Sequence, residues 1–412
     1  MKELEYPFDA AYIIKKRKSL KKALLADGTS RIRKKIAVFG GSTTSDIVKT
    51  LELFLLDAGI EPEFYESEYA QYFQDAMFPD ETLLSFKPDI VFIHTTNRNV
   101  TDWPEMTDTT EQIDEKLHTE INRFTAMWKS IAEKFHCPII QNNFEMPLYR
   151  LLGSRDAWDI HGRTNFLTRL NEAFYAYARE NESFYIHDLN FVSADYGLKE
   201  WLNPLFWNMY KYAMCFEAIP SFAFSVSHII KSIFGKNKKA LALDLDNTLW
   251  GGVVGDDGVD GIEIGQETGV SQSYYEFQTY VKQLKSLGIV LTVCSKNDHE
   301  NAIAGLNHPE GALRPDDFVI IKANWENKDR NIAETAAELN ILPDSIVFAD
   351  DNPAEREIVR TQIKGAAIPD MDGVENYITT IDRSGFFEVT TFSEDDLKRN
   401  EMYKKNALRA AE

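Results

Sequence analysis

The segment Leu241-Ala-Leu-Asp-Leu-Asp-Asn-Thr-Leu-Trp250 carries two carboxylates, Asp244 and Asp246, two residues apart where an apolar run ends. In an extended chain, residues i and i+2 share a face, so this spacing brings two like charges together. A divalent cation, or a proton held by one partner, relieves such a pair. The pattern recurs downstream. Ile289–Cys294 is a second apolar run, ending in Ser295 and followed by Lys296-Asn297-Asp298, and Ser345–Ala349 is a third, ending in Asp350-Asp351-Asn352-Pro353. Between these two, Lys328 opens an amphipathic helix over Asp329–Asn340. Lys322 is its rival for the lysine role, and Lys328 is preferred because the apolar face of its helix would pin it. Taken singly, these residues read as helix caps and a surface turn. Turns, however, do not require carboxylates at the ends of two separate apolar strands. Ligands of open parallel sheets gather at the carboxyl ends of strands, so acid pair, hydroxyl, lysine and second acid pair together read as a phosphate-and-metal site.

Positioning these groups requires a strand–helix alternation, and the chain supplies two. The second begins at strand Ala240–Asp244 and continues with strands at Ile289–Cys294, Phe318–Ile321 and Ser345–Phe348, with helical patterns near 271–287, 298–306 and 328–340 between them. The first begins with Lys35–Gly40, a short strand ending in the turn Gly40-Gly41-Ser42-Thr43-Thr44. A helix follows over Asp46–Ala58, with strands at Asp89–His94, Cys137–Gln141 and Phe184–Leu189. Strands alternating with helices imply parallel sheets covered on both faces. The expected class is α/β, with two consecutive Rossmann-like or flavodoxin-like parallel-sheet units. Gly235-Lys-Asn-Lys-Lys239 is the linker candidate. The expected divisions are a basic arm or helix over 1–35, an α/β domain over 36–234, a second α/β domain over 235–384, and a helical extension over 385–412. The extension is opened by the capping box Ser393-Glu-Asp-Asp396.

The motifs Asp244-Leu-Asp246-Asn-Thr248, Ser295, Lys328 and Asp350-Asp351 resemble the four motifs of the haloacid-dehalogenase-like (HAD) phosphotransferases. The longer strings Asp244–Asp256, Cys294-Ser-Lys-Asn-Asp298 and Asp350–Arg356 resemble its FkbH-like branch, HAD subfamily IIIC. The resemblance implies a Mg²⁺-dependent phosphatase or phosphotransferase working through an aspartyl-phosphate. Asp244 would be the nucleophile, and Asp246 the acid and base, its pKa lifted by its charged neighbour. Mg²⁺ would be held by Asp244, the carbonyl of Asp246 and the carboxylate of Asp350, with Asp351 orienting the site from behind. Phosphoryl oxygens would be held by Ser295, Lys296, Asn297 and Thr248, and Lys328 would balance charge. Trp250 would line the entrance, or else pack beneath the glycine-rich, hairpin-like flap Trp250–Gly258. Only about fifty residues separate Asp244 from Ser295, too few for a cap domain, so the expected HAD fold is capless and open to a phosphorylated small molecule or a carrier-bound substrate.

FkbH-like proteins are associated with loading a glyceryl unit from a phosphorylated three-carbon acid onto an acyl carrier protein. Cys294 would then be an acyl-accepting thiol, or else a buried strand residue. Many relatives carry an acyltransferase-like domain after a segment like Thr391–Tyr403, and this chain stops at Glu412. In the first unit, Gly40-Gly41-Ser42 and His94-Thr-Thr-Asn97 resemble the SGNH esterases, in which a Ser, a Gly and an Asn bind the oxyanion. Those enzymes need an Asp-x-x-His, and none of the eight histidines has Asp three residues earlier, so the expected domain is a non-catalytic, SGNH-like scaffold.

Composition narrows the remaining choices. With 45 Lys/Arg against 65 Asp/Glu, the net charge is −20, and 44% hydrophobic residues suffice for real cores. No broad basic field is present to displace counterions from nucleic acid. Residues 1–35 hold 11 Lys/Arg and 4 Asp/Glu, a local +7 that leaves −27 elsewhere, and their basic helix is expected to lie against the acidic remainder. No apolar run reaches the roughly 18 residues that span a bilayer. Three scattered cysteines give no disulfide framework and fit a reducing cytoplasm.

Overall fold

A strand covered on both faces must be apolar at every position, and Ala240-Leu-Ala-Leu243 meets that condition. Its odd residues, Leu241 and Leu243, enter one core with Leu291, Val293, Val347 and Ala349. Its even residues, Ala240 and Ala242, enter another with Cys294, Phe348 and Ile332. The computed structural model, which describes residues 1–411, builds two such sheets. The final residue of the expected C-terminal extension, Glu412, lies outside the described residues.

The first sheet comprises β1 (Ile32–Gly40), β2 (Ile60–Glu66), β3 (Ile90–His94), β4 (Ile139–Asn142) and β5 (Phe184–His187), in the order β2-β1-β3-β4-β5. The second comprises β6 (Ala240–Leu243), β7 (Val290–Lys296), β8 (Ile320–Asn324) and β9 (Ile346–Ala349), in the order β8-β7-β6-β9. All pairings within both sheets are parallel. The α/β class with two parallel-sheet units is therefore as the strand–helix alternation implies.

Several boundaries differ from the sequence reading. The chain divides into Asp9–Lys231 and a second unit made of Met1–Phe8 with the chain from Ser232 onward. Leu4 is buried and Glu5 pairs with Arg360, so the first residues belong to the second unit. The expected linker 235–239 lies inside that unit, where the Lys239 amide donates to the Ser345 carbonyl and extends the sheet contacts. The basic segment takes the helical alternative. It forms a helix over Ala10–Leu25, capped by Asp9, that buries Ile13, Leu20 and Leu24. Arg17 pairs with Asp46 at 2.9 Å and Lys21 with Glu52 at 2.9 Å, both on the helix Ser45–Asp57.

Strand β2 was not legible, because Glu61-Pro62-Glu63 breaks the apolar run. An edge strand tolerates a proline and charges that a central strand would not. The flap is not a hairpin either. After Gly252, at φ +88°, the chain makes a short helix over Val254–Asp257, and a bridge between Gly251 and Glu263 closes the segment. The capping box at Ser393 forms as expected: the Asp396 amide donates to the Ser393 hydroxyl and the Ser393 amide to the Asp396 carboxylate, opening the helix Glu394–Ala411.

Candidate active site

The second unit concentrates its buried charge where β6 and β9 end. Leu243 pairs with Ala349, and the Asp244 amide donates to the Ala349 carbonyl at 3.0 Å, so Asp244 and Asp350 leave the sheet side by side. Both continue the even face, over which the helix Lys328–Leu339 packs with Ile332, Ala336 and Leu339. The first residue of that helix, Lys328, therefore reaches both acids. Its ammonium lies 3.2 Å from an Asp244 oxygen and hydrogen-bonds Asp350. The rival Lys322 is engaged elsewhere, 2.5 Å from Glu338. On the β7 end, the Ser295 hydroxyl bonds Asp244.

Asp244, Asp350 and Asp351 place carboxylate oxygens within 4.8 Å of one another. This alters the expected arrangement in two respects. Asp351 stands in the cluster itself, not behind it, while Asp350 is held by Lys328 and by the Asn352 amide at 2.9 Å. Asp246 lies outside the cluster. Its Oδ1 accepts from the Trp250 indole N–H at 3.0 Å and the Val254 amide at 2.9 Å, and its Oδ2 accepts from the Asn297 amide at 2.9 Å. The strand ends at Leu243, so the two-residue alternation that would bring Asp244 and Asp246 together no longer applies.

The other candidates are placed as follows, with Trp250 and Cys294 taking the buried alternative that the sequence offered for each. Thr248 is buried, and its hydroxyl bonds Asp351 Oδ1 and accepts from the Asp351 amide, both at 3.3 Å, tying the two acidic loops together. Trp250 is 0% exposed and packs against Gly305, where an added Cβ would come within 2.5 Å of the indole, so it does not line an entrance. Lys296 pairs with Glu355 at 2.9 Å. Cys294 faces the core opposite Ser295, 1% exposed, with its thiol directed at the Lys328 carbonyl and pushed well above the ordinary range by burial.

The charges decide what the cluster holds. Three carboxylates and one ammonium leave −2 in a largely dry pocket if all are ionised. Burial lifts Asp244 to about 6, against the pull of Lys328 and with repulsion from Asp351. Burial and the charge of Asp244 lift Asp350 to about 6. Burial disfavours the Lys328 charge, yet Asp244 and Asp350 outweigh it and hold its pKa above the ordinary value. Asp246 is raised chiefly by burial, with a smaller push from the charge of Asp256, against its bonds from Val254 and Trp250 and the pull of Lys328. A hard divalent cation fits this donor set in charge and in oxygen chemistry.

The first unit also collects polar residues at its strand ends. Ser42 Oγ lies 3.2 Å from His94 Nε2, a partner that no local motif announces. The Asn142 amide nitrogen donates to the Thr95 carbonyl at 3.1 Å, which can only accept, and so fixes the side chain's orientation. The same nitrogen is 2.9 Å from His94 Nδ1, which must then accept. His94 and its neighbour in the same network, His187, are held neutral, lowered to about 3 by burial. Neutral His94 therefore carries its proton on Nε2 and donates to Ser42. In that tautomer His94 is a donor to Ser42 and is not placed to take the serine's proton. The relay continues: His187 Nδ1 donates to Asn142 Oδ1 at 2.8 Å, and Ser225 donates to His187 Nε2 at 2.9 Å.

Comparison with known proteins follows this geometry. The FkbH N-terminal domain family matches residues 35–231. A solved structure of the N-terminal part of a Bacteroides fragilis protein, containing a phosphatase domain complexed with Mg, is 30% identical, with a TM-score of 0.82; the match covers 91% of this chain and 99% of that one. A GDSL-like lipase from Bacteroides thetaiotaomicron, 15% identical over 54% of this chain and 98% of its own, has a TM-score of 0.29, too low to bear on activity. A search of the curated proteins finds no match. Two parallel sheets with an acidic cluster at the end of the second define a HAD-type unit joined to a second α/β unit. The chain belongs to the FkbH-like family of the HAD superfamily. Among the described residues, no helix is long and apolar enough to cross a membrane.

Two predictions follow from these charges and bonds. The unfolded carboxyls titrate near 3.8, and Asp244 and Asp350 near 6 in the fold. At these two carboxyls the cation-free fold binds more protons than the unfolded chain in that window, so their contribution to stability falls as pH rises from about 4 to about 6. Added Mg²⁺ should raise the melting temperature by several degrees at pH 7.5 and by much less at pH 4.5; scanning calorimetry at both pH values checks this. Ser42→Ala should leave the His94 N–H without its partner and cost about 1–3 kcal/mol in urea unfolding. Wild-type protein should not hydrolyse p-nitrophenyl acetate above background, and turnover that Ser42→Ala abolished would contradict the assigned bond direction.

Proposed function

We propose that the second unit is a Mg²⁺-dependent phosphatase or phosphotransferase that works through an aspartyl-phosphate on Asp244. The observation that carries this reading is the Asp244 carboxylate, held between Ser295 and Lys328 in the cluster with Asp350 and Asp351. The Mg-bound phosphatase domain of the B. fragilis relative supports it. Asp244, Asp351, the backbone carbonyl of Asp246 and Asp350 are the oxygens available to hold the ion. Bound there, Mg²⁺ supplies charge neutralisation that lets an anionic phosphoryl group approach a carboxylate.

The chain's own groups divide the remaining work. An Asp244 oxygen attacks phosphorus, and the bond from phosphorus to the ester oxygen breaks. Asp246 gives that oxygen its proton, releasing an alcohol. Asp246, now ionised, takes a proton from water as the water attacks the phosphorus of the aspartyl-phosphate, returning free Asp244 and inorganic phosphate. The Ser295 hydroxyl is placed to donate to a phosphoryl oxygen, and Lys328 offsets charge on the nucleophile and the transferring group.

The substrate class we infer is a phosphorylated small molecule or a carrier-bound group, because no cap domain separates β6 from β7. An acyl carrier protein is the partner that FkbH-like relationship suggests, but the burial of Cys294 removes the thiol that direct acyl loading would use.

Turnover of p-nitrophenyl phosphate should require Mg²⁺, stop with EDTA, and fall by about 10³-fold or more in Asp244→Asn. Turnover undiminished in Asp244→Asn would overturn the reading.

A further inference from the structure

The phosphatase reading assigns Asp246 its acid and base role; what holds Asp246 is a separate matter. A carboxylate oxygen offers about two lone-pair sites. On Asp246 Oδ1 both are filled, by the Trp250 indole N–H at 3.0 Å and the Val254 amide at 2.9 Å. On Oδ2 one is filled, by the Asn297 side chain at 2.9 Å. Only Oδ2 retains a site that can carry a proton. The donors come from independent elements: Trp250 is locked under Gly305, Val254 opens the short flap helix, and Asn297 follows β7, buried at 4% exposure.

We propose that Asn297 and Trp250 are positioning residues for Asp246, fixing its rotamer so that Oδ2 is the oxygen that transfers the proton. The inference rests on the phosphatase reading and extends it. It also gives Asn297 a duty apart from phosphate binding, since one of its two side-chain N–H donors faces a protein carboxylate. In the first step Asp244 bonds to phosphorus, the ester oxygen leaves with the bonding electron pair, and the proton moves from Oδ2 to that oxygen. The products are an alcohol, the Asp244 phosphate and an Asp246 carboxylate. In this first step, which kcat/KM reports, loss of the clamp should matter only where the leaving oxygen needs that proton.

The test compares two substrates, p-nitrophenyl phosphate, whose leaving group departs without a proton, and phenethyl phosphate, whose alkoxide does not. Asn297→Asp keeps the shape and removes the donor, and Trp250→Phe keeps a ring against Gly305 and removes the indole N–H. For each variant, kcat/KM on phenethyl phosphate should fall about 10-fold or more, and on p-nitrophenyl phosphate less than about threefold. Melting temperatures read the folded state of each variant, and Asn297→Ala provides a second, uncharged removal of the donor. Equal losses on both substrates would overturn the clamp and return Asn297 to phosphate binding or packing, leaving the phosphatase reading intact. No Mg²⁺-dependent turnover of either substrate by the wild type would remove both together.

Discussion

Two buried carboxylates, a half-buried third and a buried ammonium at the end of a largely apolar sheet are costly unless they neutralise one another. A low local dielectric strengthens the attraction of Lys328 for Asp244 and Asp350, and equally strengthens the repulsion among the acids. The remaining charge can be relieved by protons or by a divalent cation. The even face of β6 and β9 holds the first two acids together, and the helix Lys328–Leu339 delivers the lysine because its apolar residues are fixed on that same face. Thr248 ties Asp351 to the β6 loop, and the Arg356 side chain donates to the Asp350 and Asp351 carbonyls at 2.9 and 3.0 Å, so the acidic loops cannot relax apart without breaking these bonds.

The direction of a hydrogen bond decides chemistry at two places in this chain. In the first unit, one backbone carbonyl at Thr95 orients Asn142, which sets the tautomers of two buried histidines and makes His94 a donor to Ser42. The serine and the histidine are in contact, as in an esterase, but the proton lies on the wrong side. In the second unit, three donors converge on Asp246 while none comes from Asp244's cluster. The two acids, close in sequence, thus face different environments, one charged and one lined by neutral donors. Separation of that kind suits one carboxylate for bonding to phosphorus and the other for moving a proton.

The apolar runs ending in Asp244, Ser295 and Asp350, and the lysine before an amphipathic helix, were enough to read out the second parallel sheet and most of the acidic cluster, as runs such as Lys35–Gly40 and Asp89–His94 were for the first sheet. A two-residue alternation and strand-terminal polar groups are local properties, written directly in the order of side chains. The edge strand β2 escaped because its Glu61-Pro62-Glu63 stretch lacks that local signal. The tertiary structure alone supplied the hydrogen-bond partners of Thr248, Trp250 and Asn297, which residue types could not name. Asp246 takes its donors from 4, 8 and 51 residues away, and Ser42 meets a histidine 52 residues on. Such partners are chosen by how helices and loops pack around the strand ends, so a linear pattern carries the charges but not the directions in which they are held.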